Sequence, residues 1–225
     1  MDLQIIKTAD GSPTLFVPEL EEQYHSINGA ITESEYVFLE KGYNFHLSRS
    51  PVVFEVGFGT GLNCLLTALS AIQNKRFTKF YSIEKYPVPE KIIFELDYGK
   101  YVSEFARSIF NQIISCSWNK AVEINPYFEL VKIKADLTNF DYSIIQTPDI
   151  IFFDSFGPDK QPGMWTKEIF TKIYNACKTN SVFVTYSAKG EVRRNLTSVG
   201  FVVERLPGPP GKKQMLRGIK NPPNL

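Results

Sequence analysis

The sequence predicts a doubly wound α/β sheet, on three observations. Strand-like and helix-like segments alternate from Pro51 to Lys220, a pattern that specifies a mostly parallel sheet with helices on both faces. The run Asp149–Asp154 is apolar between its two acids, as a strand covered on both faces is. A glycine turn at 57–61 joins the first strand of the pattern to its first helix, where such folds meet their ligands.

Residues 3–8 and 13–17 are short apolar-alternating runs around Asp10-Gly11, a turn pair that favours a hairpin, and predict an N-terminal β extension. Residues 34–42 read as a short helix ending in glycine. Val52–Val56 is the first core strand, and helical spacing resumes over 62–72. A second strand spans 80–84 and is ended by Pro87 and Pro89, and two helical patterns fill 90–118. Strands follow at 128–135, 149–154, 181–186, 201–206 and 215–220, with helices at 165–178 and 191–199. The expectation is therefore a seven-stranded sheet in one domain over 1–225, with 1–50 as the extension and 51–225 as a Rossmann-like core. The loop Pro207-Gly208-Pro209-Pro210-Gly211 is rigid, poor in backbone donors and expected at the surface.

At 225 residues and 43% apolar content the chain is long enough for one sizeable core without crosslinks. Cys64, Cys116 and Cys177 are scattered and odd in number, which argues against a disulfide framework or structural zinc and for a reducing compartment. The opening residues 1–7 lack the basic flank and apolar run of a secretion signal, and no stretch is long enough to span a bilayer. A cytoplasmic protein without membrane partners is expected. Net charge is +1, but residues 181–225 carry eight Lys/Arg against two Glu, so the tail is basic and the remainder acidic. A basic segment of this kind suits a polyanion, or is a solvated face.

The strongest local signal is Glu55-Val56-Gly57-Phe58-Gly59-Thr60-Gly61, followed by Asn63. Its G-x-G-x-G spacing lacks the third glycine of the dinucleotide fingerprint and the G-K-[ST] ending of a P-loop. An acid ahead of the glycines suits a cofactor bearing a sulfonium and an ammonium better than one bearing a pyrophosphate, so S-adenosylmethionine fits better than a nicotinamide. The fold expected is then that of the class I methyltransferases. Glu84 ends the second strand where a carboxylate would receive ribose hydroxyls. Asp136 and Asp154 close the next two strands and should face the same crevice, Asp136 toward the adenine amino group and Asp154 toward the reacting centre. Asp136 has a competing reading as a cap for 137–139. Two histidines, His25 and His46, are too few for a multi-histidine metal site, and no G-x-S-x-G elbow is present.

Several further motifs share an order with one family. They are Tyr24-His25-Ser26, Asn28-Gly29-Ala30, Glu33, the glycine loop through Asn63, the run Asp154-Ser155-Phe156-Gly157-Pro158 to Thr166, Tyr186-Ser187-Ala188-Lys189-Gly190, Arg193-Arg194 and Gly211-Lys212-Lys213. With them the sequence resembles the methyltransferase domain of the tRNA 5-methylaminomethyl-2-thiouridine biosynthesis family, often called MnmC. The resemblance implies methyl transfer from S-adenosylmethionine to the amine of 5-aminomethyl-2-thiouridine at the tRNA wobble position. For that reaction Asp154, already placed toward the reacting centre, is the expected catalytic group; the resemblance further implies Tyr24, His25, Glu33, Phe156, Tyr186 and Lys189 as substrate contacts, and with it the clustered Arg193, Arg194, Lys212 and Lys213 are expected to contact the tRNA backbone.

Two departures stand out. Ser155 occupies a position where the family often has glycine, and the flavin-dependent oxidase domain of larger members does not appear. A stand-alone form without FAD or metal is expected, with a separate oxidase or other upstream wobble-uridine enzymes supplying an exposed aminomethyl group. The competing readings are a methyltransferase for a small molecule or protein, an aminopropyltransferase, and a non-catalytic RNA-binding module.

Overall fold

The protein is described by a computed structural model over residues 3–221; both ends of the 1–225 domain read from the sequence lie outside the described residues. Strands β1 (Gln4–Lys7) and β2 (Pro13–Val17) form the expected antiparallel hairpin, and a two-residue strand β3 (Glu22–Gln23) pairs with β2. The turn is held by Asp10, whose Oδ1 accepts from the Thr8 hydroxyl and the Ser12 amide. Its Oδ2 accepts from the amide (3.0 Å) and hydroxyl (2.9 Å) of Thr32 in helix α1 (Ala30–Ser34). Asp10 thus caps α1 from a distance, a task that Gly29 at the N-cap position has no side chain to perform.

The helix expected over 34–42 begins four residues earlier, and α1 runs directly into a π-helical segment, Glu35–Tyr43. Gly42 is not its stop. A Cβ there would lie 2.8 Å from Val184 Cγ2, so glycine serves here to let the helix lie flat on the sheet.

The main sheet has eight strands in the order β10-β11-β9-β8-β4-β5-β7-β6. They are β4 (Val52–Val56), β5 (Thr78–Glu84), β6 (Ala121–Asn125), β7 (Phe128–Lys134), β8 (Ile150–Phe153), β9 (Val182–Thr185), β10 (Phe201–Pro207) and β11 (Gln214–Lys220). The five strands from β9 to β7 are parallel; β11 and β6 run antiparallel to them, and β10 pairs antiparallel with β11. Seven strands were expected, and β6 is the eighth. It is an edge strand on which only Ile124 is buried, so it has no apolar face to read.

Helices α2 (Leu62–Asn74) and α5 (Glu104–Ser115) cover one face with the π-helical segment, and α6 (Lys167–Ala176) and α7 (Gly190–Ser198) cover the other. The stretch 90–118 holds three helices rather than two. Asp97 in a left-handed conformation separates α3 (Glu90–Leu96) from α4 (Tyr98–Val102), and Ser103 begins α5 by accepting from the Ala106 amide. Among the described residues no helix is long and apolar enough to cross a membrane.

The chain moves outward from β4 through β5 to β7, then returns to the other side of β4 as β8. This reversal leaves a crevice at the carboxyl ends of β4 and β8, which is where open α/β sheets bind ligands.

Candidate active site

A cavity of about 760 Å³ opens at that crevice, within the size range of small-molecule sites. Val56, Gly57 and Asp154, at the ends of β4 and β8, line its floor, and the segment 22–28, Glu33 and Gly211-Lys212 also line it.

Gly57 makes the floor possible. Its φ is +92°, and a Cβ would stand 2.5 Å from the Asp154 carbonyl oxygen, so any side chain here would force apart the ends of β4 and β8. Glu84 lines the cavity at the end of β5 and braces the glycine loop: Oε2 accepts from the Gly59 amide (3.2 Å) and Oε1 from the Tyr86 amide (2.9 Å). A carboxylate has about four acceptor positions, so two remain for ligand hydroxyls. Asp136 also lines the cavity. Its Oδ1 accepts from the amide and hydroxyl of Thr138, and its Oδ2 pairs with Lys85 at 2.8 Å; the lysine first and then these bonds hold its carboxyl down at about 2. The capping geometry weighed from the sequence is therefore present at the cavity edge.

Five residues expected to bind the cofactor stand behind the cavity wall. Glu55 is 1% exposed and bonded to the Ser82 hydroxyl, and burial pushes its carboxyl well up. Phe58 packs edge-on against Trp118, while Thr60 reaches the Tyr98 hydroxyl at 3.3 Å. Gly61 is the left-handed N-cap of α2, next to Phe58 and Ile114. Asn63 is buried and donates from Nδ2 to Asp154 Oδ2 at 2.8 Å. The physical reason is shared: side chains alternate across β4 and turn into α2, so these face the core and shape the loop whose backbone, at Gly57 and Gly59, meets the cavity.

The other half of the cavity gathers Asp154, Ser155, Phe156, Tyr24, Glu33 and Tyr186. The Asp154 carboxyl is raised to about 7, by burial first and then by the Glu33 charge, against the opposing Asn63 bond and Lys212 charge. Glu33 Oε2 accepts from the Ser26 amide at 2.9 Å and Oε1 pairs with Lys212 at 2.5 Å. Tyr24 meets Phe156 edge-on at 5.0 Å, and Tyr186 donates its hydroxyl to the Ser155 carbonyl at 2.8 Å. Ser155 itself is buried, with an Oγ that has no partner among the described residues. His25 lines the cavity but is wedged between Thr14 Oγ1 and the Tyr98 hydroxyl, and burial lowers its imidazole to about 4, so it is neutral at pH 7. A glycine-floored crevice beside a carboxyl that titrates near neutrality can hold a small cofactor and accept a proton from a nucleophile.

Residues 100–221 match the family described as S-adenosyl-L-methionine-dependent methyltransferase. The chain belongs to that family. Among relatives of this methyltransferase is the tRNA 5-methylaminomethyl-2-thiouridine biosynthesis bifunctional protein MnmC of Leptospira borgpetersenii serovar Hardjo-bovis, 31% identical over 215 residues, covering 88% of this chain and 32% of that protein. The protein of that name from Nitrosospira multiformis is 30% identical over 226 residues, covering 93% of this chain and 36% of the other. The methyltransferase thus spans about a third of the length of these curated relatives. The crystal structure of MNMC2 from Aquifex aeolicus shares its fold, with a TM-score of 0.77 at 24% identity over 98% of this chain and 71% of that one.

The basic residues of the methyltransferase divide. Arg193 and Arg194 are exposed on α7, Lys213 is exposed on the loop after β10, and Lys189 lines the cavity edge in an ion pair with Asp159. Lys212, expected on the tRNA backbone, instead turns inward: its Nζ lies 3.9 Å over the Tyr186 ring and pairs with Glu33. Sequence reasoning gave no role to Lys85 and Tyr98, which hold Asp136 and His25 through contacts from distant segments, nor to the Ser26 amide that holds Glu33. Ser155 did carry a signal, as the departure beside the motif aspartate.

Proposed function

We propose that this methyltransferase N-methylates the aminomethyl group of 5-aminomethyl-2-thiouridine at the wobble position of tRNA, giving 5-methylaminomethyl-2-thiouridine. The observation that carries the reading is Asp154: a carboxyl raised to about 7, steadied by Asn63 and placed between the glycine floor and the aromatic side chains of Tyr24, Phe156 and Tyr186 in one cavity. The names of the relatives supply the substrate class, tRNA 5-methylaminomethyl-2-thiouridine biosynthesis.

The cradle excluded to a Cβ at Gly57 and the free acceptor positions of Glu84 fit the cofactor. Gly57 and Gly59 would back it, Glu84 would take its ribose hydroxyls, and the edge formed by Asp136 and Leu137 would border its adenine. When bound, S-adenosylmethionine would supply an electrophilic methyl group, its sulfur keeping the electron pair of the C–S bond.

The chain's own residues handle the amine. It arrives largely as ammonium, and Asp154 accepts one proton, freeing the lone pair. Tyr24, Phe156 and Tyr186 would flank the base, with Lys189 at the rim, while Arg193, Arg194 and Lys213 would meet phosphates. An oxidase step supplied by another protein would precede this one.

The test is transfer of labelled methyl from S-adenosylmethionine to tRNA from cells lacking this gene, followed by nucleoside analysis. Label in 5-methylaminomethyl-2-thiouridine supports the reading. Cofactor binding with no labelled nucleoside refutes it and leaves a methyltransferase for another acceptor.

A further inference from the structure

Two carboxylates face the pocket where the amine would sit, and a third group decides how they act. Asp154 at the end of β8 and Glu33 in the first turn of α1 are close enough for the Glu33 charge to raise Asp154. An ammonium between two free carboxylates would be held in its charged form, since each opposite charge favours the proton staying on nitrogen. A charged amine has no lone pair to give.

Lys212 changes that balance. It comes from the loop between β10 and β11, and the Tyr36 hydroxyl, on the π-helical segment, donates to the Pro207 carbonyl (3.0 Å) where that loop begins. Its Nζ sits 2.5 Å from Glu33 Oε1 and 3.9 Å from the centre of the Tyr186 ring, with Glu33 Oε2 already taken by the Ser26 amide. Glu33 is therefore satisfied at both oxygens. Among the described residues the Asp154 carboxylate has only the Asn63 bond. The other titratable groups around this point leave the arrangement standing: the Tyr186 and Tyr24 phenols are pushed up by burial, His25 is neutral and held by Thr14 and Tyr98, Glu84 is bound to the glycine loop, Glu55 is buried behind the wall on Ser82 with its carboxyl pushed well up, Lys189 is paired with Asp159, and Glu22 lines the cavity from β3.

We propose that Lys212 is a positioning residue of the active site, which neutralises Glu33 so that Asp154 alone receives the proton of the substrate ammonium. In that step one N–H bond of the ammonium breaks, its electron pair stays on nitrogen, and the proton binds a carboxylate oxygen of Asp154. This assignment replaces a phosphate contact for Lys212 and rests on the proposed aminomethyl substrate.

The experiment compares two tRNAs, one bearing 5-aminomethyl-2-thiouridine and one bearing plain 2-thiouridine. Their dissociation constants are measured at pH 6.5 with S-adenosylhomocysteine present, so that no turnover occurs. The ratio of the two constants isolates the amine from every backbone contact. Lys212→Met keeps the stem over Tyr186 and frees Glu33, and should increase the preference for the aminomethyl tRNA by about tenfold, the order of effect of one nearby carboxylate. Glu33→Gln leaves the Lys212 charge uncompensated and should decrease that preference by a similar factor. Lys212→Arg should restore the wild-type ratio to within about twofold.

Under turnover, the pH at which kcat is half-maximal should move up in Lys212→Met and down in Glu33→Gln. A merely structural pair would shift both variants the same way, and a phosphate contact would weaken both tRNAs equally and leave the ratio unchanged; either result overturns the proposal. If the wild type itself does not methylate aminomethyl tRNA, the functional reading falls and the assignment with it. If the wild type does and the ratios stay put, only the assignment falls.

Discussion

Asp154 concentrates the opposing demands of stability and chemistry at one residue. Its carboxyl titrates near 7 rather than at the ordinary 3.8, mainly because burial disfavours the charge. The folded state therefore binds the proton more tightly than the unfolded state, so this group's contribution falls as pH rises from about 4 to 7 and is flat above. Asp154→Asn should leave the melting temperature near the wild-type value at pH 4 and raise it at pH 8, by roughly 1–3 kcal/mol of stability after allowance for partial exposure. The same variant should lose methyl transfer by about a hundredfold or more while still binding S-adenosylhomocysteine. Calorimetric melting at the two pH values and single-turnover transfer check both halves. For the wild type, transfer should rise with pH through about 7 as Asp154 loses its proton. Ser155 offers a smaller test. Its buried hydroxyl lacks a partner, so Ser155→Ala should leave the unliganded protein equally stable or slightly more so, and should raise KM if a ligand completes that bond.

At the scale of elements, legibility follows how local the determining interactions are. Strand β8 was readable because four consecutive buried residues say covered strand without reference to anything else. The glycine turn was readable as a loop, but which side chains of 55–63 face the cavity depends on how β4 and β8 are pinned together at Gly57, and periodicity carries no such information. Strand β6 exposes both faces, and α1 owes its start to Asp10, twenty residues upstream of its first residue. That last case makes a prediction. Although burial opposes it, the bonds from Ser12, Thr32 and Thr8 hold the Asp10 carboxyl well below the ordinary range. Its stabilisation is thus present above pH 4 and is lost as pH falls through the lowered folded-state value. Asp10→Ala should cost about 1–2 kcal/mol at pH 7, a gap that narrows on acidification below about pH 3.8. Hydrogen exchange should find the loss concentrated in the hairpin and the first turn of α1, and an undisturbed α1 would refute the remote cap.

At the scale of the whole molecule, the charge asymmetry visible in the sequence has a divided use. Of the eight basic residues in 181–225, Lys212 pairs with Glu33 inside the cavity, Lys189 with Asp159 and Arg217 with Glu204, while Lys220 donates to the Tyr174 and Cys177 carbonyls. Arg193, Arg194 and Lys213 remain exposed, as does Arg205 on β10, with α7 entered from Lys189 at the cavity rim. A counting argument on the sequence overstates the surface available to a polyanion, because half of the tail's cations already have protein partners. Each phosphate neutralised by a lysine or arginine adds about 0.7–0.9 to the slope of log affinity against log salt. Replacing Arg193, Arg194 and Lys213 together by alanine should therefore flatten that slope for tRNA by about 2–3, and should leave S-adenosylhomocysteine affinity within about twofold. Lys212→Met, by contrast, should leave the slope unchanged, because its charge is already paired with Glu33. A triple variant with the wild-type slope would move the tRNA surface away from α7, whatever the fate of the methyl-transfer chemistry.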